Sequence, residues 1–170
     1  MDSTRISRAG AVVPVLLCTL LAAASTAPAG EREARGEYLA AIMDCAGCHT
    51  PGTMLGKPDQ QRHLAGSEVG FEIPGLGVFY PPNLTPDAET GLGRWSTTDI
   101  VTAVRTGVRP DGRVLAPVMP YKSYAALSDA DAEALASYLK SIKPVRHRAP
   151  VLAGPSEKPA SPYLAVVVPD

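Results

Sequence analysis

The chain has 170 residues, enough for one domain with tails. Its formal net charge of −1 excludes the strongly basic surface of a nucleic-acid binder, or of a protein held on an anionic membrane by charge. Apolar content is 45% but aromatic content only 5%, thin for a core of this size, and Gly 15 with Pro 17 means that regular structure is interrupted often.

The first residues read as targeting. Arg5 and Arg8 precede an apolar run from Ala11 to Ala24, and Ala27-Pro28-Ala29 fits a small-residue cleavage site. The pattern predicts a signal peptide over residues 1–29 and export to the periplasm. Left uncleaved, the same segment is an anchor; otherwise membrane association comes only through a complex. Cys18 lies in this run, which leaves Cys45 and Cys48 as the only cysteines of the mature chain and rules out a disulfide framework. Removing residues 1–29 takes away Arg5, Arg8 and Asp2 and leaves a net charge of −2.

Residues 31–44 are good helix formers with Tyr38, Leu39, Ile42 and Met43 at helical spacing and acidic residues in the first turn. The predicted helix runs into Cys45-Ala46-Gly47-Cys48-His49. From 50 to 86 the chain is crowded with Gly and Pro and reads as a long ordered loop, with Phe71, Ile73, Leu76, Val78, Phe79 and Tyr80 packing against something. Ser96-Thr97-Thr98-Asp99 is a capping box for a helix over 97–106, stopped by Gly107. Asp111-Gly112 marks a turn, and Ala116-Pro117-Val118-Met119-Pro120 is extended because residues before proline avoid the α region. Ser128 caps a helix over 129–143 with an apolar stripe of Ala134, Leu135, Tyr138, Leu139 and Ile142, ended by Pro144. The tail 147–170 holds five prolines and reads as extended or disordered. The domain proper is thus 30–146.

Cys-x-x-Cys-His is the attachment signature of a c-type haem: two thiols three apart reach both porphyrin vinyl groups from one turn of chain, and the next imidazole lies under the iron. Cys45 and Cys48 are the covalent attachment points and His49 the proximal iron ligand. A thioredoxin-type dithiol expects a preceding strand, and a zinc site two more ligands at short spacing; neither pattern is present. The sixth ligand is expected from Met119, held stiffly between prolines, with His63 and His147 as rivals. His63 is also readable as a solvated loop residue, and His147, between Arg146 and Arg148, as exposed.

The order of helix, Cys-x-x-Cys-His, Gly-rich loop, Met-Pro and capped C-terminal helix resembles class I cytochromes c. More narrowly, Pro82-Asn83-Leu84-Thr85-Pro86-Asp87, Thr90-Gly91-Leu92-Gly93-Arg94-Trp95, Pro117-Val118-Met119-Pro120-Tyr121 and Leu127-Ser128-Asp129 are similar to one domain of the cytochrome c subunits of bacterial membrane-bound alcohol, gluconate, aldehyde and nicotinate-type dehydrogenases. The resemblance covers about 35–145. Those subunits commonly carry several haem domains, and this chain has one motif. The resemblance implies an all-α cytochrome c-like fold in which N- and C-terminal helices cross around one covalent haem, with Gly36 or Ala40 close against Leu135 and Tyr138. It also implies a proline carbonyl, Pro82 rather than Pro74 or Pro81, accepting from the His49 ring, and Tyr80, Asn83, Trp95 and Arg105 toward the haem carboxylates. Trp95 is equally readable as packing and Arg105 as a helix-end cation.

The expected function is one-electron transfer by haem c with His/Met ligation in the periplasm, as a subunit of or shuttle for a dehydrogenase or respiratory chain. The donor is a dehydrogenase subunit and the acceptor an oxidase or another cytochrome. No Ser/His/Asp set or paired carboxylates in an apolar frame point to an enzyme. The alternative is a haem module that binds or senses a small ligand at a labile sixth position.

Overall fold

A computed structural model describes residues 28–169. The proposed signal peptide and Cys18 fall outside these residues, apart from the last positions of the leader. The elements in order are α1 (Ala29–Ile42), α2 (Cys45–His49), two 3-10 turns (Thr53–Leu55 and Gln60–Arg62), β1 (Gly70–Ile73), β2 (Gly77–Phe79), α3 (Thr97–Thr106), α4 (Tyr121–Tyr124), α5 (Asp129–Ser141) and β3 (Tyr163–Leu164). No described helix is long and apolar enough to cross a membrane.

α1 and α5 make the most extensive helix–helix contact, and α3 packs on α5. Their meeting point is set by Gly36: a Cβ there would lie 2.1 Å from the carbonyl oxygen of Ala134 and 2.6 Å from Cβ of Tyr138. Only hydrogen fits, so the backbones approach closely. The inward stripe of α1 is Gly36, Leu39 and Ala40, whereas Tyr38 and Ile42, expected to share it, are exposed. The α5 stripe is Ala132, Ala134, Leu135, Ala136 and Leu139. Leu39, Ala40, Ala134, Leu135, Ala136 and Leu139 form one core with Leu64, Leu92 and Ile100, against which Cys45, Ala46, Trp95, Tyr138 and Ile142 are half-buried.

Helix ends follow local chemistry. Ser96 accepts from the Asp99 N–H while the Asp99 carboxylate accepts from the Ser96 N–H, a complete capping box, and α3 stops at Gly107 with φ 76°. Ser128 accepts from the Asp131 N–H at the start of α5.

The all-α expectation is only roughly met, because the chain also forms a small sheet of order β2-β1-β3. Within the supposed loop, Ile73-Pro74-Gly75-Leu76 makes a tight turn closed by Leu76 N–H to Ile73 O at 2.9 Å, with Gly75 at φ 77°. Proline at the second position and glycine at the third is the chemistry of a type II turn. It pairs Phe71 with Phe79 and Ile73 with Gly77. The tail is extended, as five prolines suggest, but it lies on this hairpin. β3 pairs parallel with β1 through Gly70↔Tyr163 and Phe71↔Leu164, and Ala153 bridges Val78. Val78, Tyr80 and Ala153 form a second small core.

Candidate functional site

The site begins where α1 ends. Asp44 takes a left-handed conformation, φ 52°, open to Asp and Asn at modest strain. This breaks α1 from α2 and turns Cys45, Cys48 and His49 onto one short helix. Both thiols are free and half-buried. Burial pushes the Cys45 thiol up to about 11, with the Asp44 charge adding to the rise, and Cys48 is raised by the same causes. Both are therefore neutral thiols at neutral pH.

His49 is buried at 6% exposure, and its Nδ1 lies 2.8 Å from the Pro82 carbonyl oxygen. Burial lowers its basicity, partly opposed by that hydrogen bond, so the ring is a neutral imidazole. Nδ1 donates to Pro82, which leaves Nε2 as the unprotonated nitrogen, the one able to bind a metal. The segments that hold it are laced together. Gly66 N–H donates to the His49 carbonyl at 2.8 Å, Ser67 N–H to Pro81 at 3.0 Å and Leu84 N–H to Leu64 at 2.8 Å. Gly66 sits at φ 99°, where a side chain is strained, and a Cβ there would press tightly on Pro81 and Asn83.

Met119 is half-buried, in a loop tied by Met119 N–H to Ala116 O and Tyr121 N–H to Met119 O. α4 follows at once and anchors this loop at both ends. The Tyr121 ring packs on Gly107, and the Tyr124 hydroxyl donates to the Met43 carbonyl at 3.0 Å. Tyr124 thus ties the methionine segment to the residue two before Cys45. Burial, then the nearby thiols, raise its hydroxyl to about 12.

The other anticipated residues separate into two groups. Tyr80 donates its hydroxyl to Ser161 at 2.8 Å, and the Asn83 amide donates to Thr90 and to the Val145 carbonyl at 2.7 Å, so both face the tail. Arg105 is engaged by Asp129 at 2.5 Å. Trp95 is half-buried, and the guanidinium of Arg109 lies 5.5 Å from its ring centroid. His147, expected to be exposed, is half-buried with Nδ1 2.7 Å from the Ala65 carbonyl. His63 is half-buried in the loop.

Sequence reasoning passed over Arg109. Its Nε and Thr53 Oγ1 are buried side-chain polar atoms without a hydrogen-bond partner among the described residues. Asp111 stands 3.5 Å from that Nε, giving charge pairing without a hydrogen bond. Burial lowers the basicity of the guanidinium. An orphaned donor over a half-buried indole is a donor that lacks an acceptor. No group of three or more His, Cys, Asp and Glu side chains is spaced to hold a bare metal ion among the described residues. Two free thiols, one oriented imidazole, one half-buried thioether and an unpaired arginine donor fit a haem joined at Cys45 and Cys48 and presenting carboxylates.

Comparison with known proteins agrees. A sequence model of the family described as Cytochrome c matches residues 33–143. The chain is 45% identical over 116 residues to a subunit of the nicotinate dehydrogenase of Pseudomonas putida, covering 68% of this chain and 9% of that protein. It is 37% identical over 140 residues to the cytochrome c subunit of alcohol dehydrogenase (quinone) of Gluconobacter oxydans, covering 79% and 27%. It is 43% identical over 112 residues to the cytochrome c subunit of gluconate 2-dehydrogenase of Pantoea cypripedii, covering 65% and 23%. The chain therefore spans about a quarter or less of the length of these relatives. It belongs to the cytochrome c family, whose cofactor is a covalently held haem c with its iron.

Proposed function

We propose that this chain is a one-electron carrier of the periplasm, with His49 and Met119 as axial ligands, serving a dehydrogenase as its cytochrome domain. The observation that carries the reading of His49 as a ligand is its hydrogen bond to Pro82: it fixes the tautomer of a buried imidazole and leaves Nε2 unprotonated. Haem, when bound, supplies a single iron site that cycles between Fe(III) and Fe(II). Cys45 and Cys48 would tether it through their sulfurs. Pro82 holds the imidazole N–H and raises the basicity of the opposite nitrogen. Met119 offers a neutral thioether, which favours Fe(II) and a fairly positive potential. Arg109, beside Trp95, is the donor for the carboxylate edge, the role expected of Arg105, whose guanidinium is committed to Asp129. The relatives named above are dehydrogenase subunits, which favours a dehydrogenase as donor and favours the carrier over the ligand-sensing reading. The proposed acceptor is an oxidase or another cytochrome. The near-neutral charge gives weak electrostatic steering of either encounter.

The test is covalent loading followed by redox titration. Expressed with a haem-attachment system, the protein carries haem through denaturing electrophoresis and titrates as a single one-electron centre. Cys45→Ala combined with Cys48→Ala carries none. Retention of covalent haem by that variant would refute the reading.

A further inference from the structure

We propose that the tail over residues 145–164 is a brace for the proximal ligand, holding the Pro82 carbonyl and the backbone of His49 in register. The inference rests on His49 being an axial ligand. It begins from the two segments that touch His49. Pro82 accepts from the ring, and Gly66 donates to the His49 carbonyl. The tail grips the neighbour of each. Asn83, next to Pro82 and 2% exposed, donates its amide to the Val145 carbonyl at 2.7 Å and more weakly to the His147 carbonyl at 3.2 Å. Ala65, next to Gly66, has its carbonyl 2.7 Å from the His147 ring. The Thr85 hydroxyl accepts from the Val145 N–H at 3.0 Å while donating to Asn83 Oδ1 at 2.8 Å, and Thr90 accepts from the His147 N–H at 3.2 Å. Farther on, Ala153, Ser161 and Pro162 are bound to Val78, Tyr80 and Gly70, so the strand leading into Pro81-Pro82 is pinned as well. The tail is thus bound to the residues next to Pro82 and next to Gly66, the two groups that hydrogen-bond His49. The family match ends at residue 143, just before the tail begins. A hydrogen bond to a ligating imidazole tunes the metal through ligand basicity, and a looser acceptor makes a weaker donor to Fe(III). The tail is a positioning element, acting on iron only through Pro82 and His49.

The test is proton NMR and redox titration of the full-length holoprotein. Thr85→Val combined with His147→Ala removes the Thr85 and His147 side-chain bonds between residues 145–147 and the His49 segments, leaving those of Asn83 and Thr90 in place. The expected result is solvent exchange of the His49 Nδ1–H at least tenfold faster in the reduced state, with the midpoint potential moved upward. Thr85→Ser, which keeps the hydroxyl, retains wild-type values of both, as does Arg148→Ala on the exposed side of the tail. If the double variant does not retain haem, His147→Ala alone gives the same two readouts. Unchanged exchange and unchanged potential would overturn the brace. A His49 ring without haem-induced shifts in the wild type would instead refute His49 ligation itself, a distinct outcome.

Discussion

The ammonium of Lys140 donates to the main-chain carbonyl of Trp95 at 2.9 Å, and the same group donates to Gly93 at 3.0 Å. A single cation on α5 therefore caps the turn that delivers the indole stacked under Arg109. Charge-assisted bonds to half-buried carbonyls are worth more than neutral ones, and removing the donor leaves those acceptors short of a partner. Lys140→Met keeps the aliphatic stem and loses the bonds. It is expected to cost about 1–3 kcal/mol in urea unfolding, with Trp95 fluorescence changed in the folded state.

Gly36 admits no side chain against Ala134. The obstacle is backbone, which cannot rotate away as a side-chain tip can, so Gly36→Ala must separate α1 from α5. The expected cost is about 1–3 kcal/mol, the usual range for overpacking. Haem attachment should survive, since the motif itself is untouched. Chemical denaturation of the loaded variant beside the wild type checks both statements.

Two carboxylates give stability a definite pH dependence. The Ser96 hydroxyl and N–H hold the Asp99 carboxyl below its usual range, and Arg35 does so for Asp131, helped by Ser128. In each case the folded-state pKa lies below the unfolded one. The stabilisation is therefore complete above the unfolded value, about 4, and is lost as pH falls through the folded value. Their contribution to the urea midpoint should be level from neutral pH to about 5 and drop below about 4. Asp99→Asn should lower the neutral-pH midpoint and flatten the acid limb. An acid limb of wild-type steepness in Asp99→Asn would show that the capping box does not contribute to it.

Much of this architecture is legible in local signals. Ser96, Asp99 and Gly107 mark α3 at both ends, and Ser128 with Asp131 marks the start of α5, because caps are formed by side chains close in sequence. The face of α1 is less legible from periodicity: Tyr38 and Ile42 have the right spacing but are exposed, and the close approach of Gly36 to Tyr138 is expected only from the family resemblance. The β1–β2 hairpin was readable from the alternation around Pro74-Gly75, which the density of Gly and Pro obscured. The tail's docking left no trace, since β3 and the Asn83 contacts are made to main-chain groups that any sequence supplies. At the site, Cys45, Cys48, His49 and Met119 are carried by residue type and spacing. Arg109 was hidden in Arg109-Pro110-Asp111-Gly112, which reads as a solvated turn until its orphaned Nε and the Trp95 ring are seen together.

The central claim is a six-coordinate haem held by His49 and Met119, and the near-infrared absorption of the oxidised protein tests it most directly. The account predicts the weak charge-transfer band of iron–thioether ligation in the wild type. In Met119→Ala that band is lost, the potential falls and carbon monoxide binds readily to the reduced form, while haem stays covalently attached. A wild-type protein that lacks the band and binds carbon monoxide rapidly, or a Met119→Ala variant with an unchanged spectrum, would contradict it.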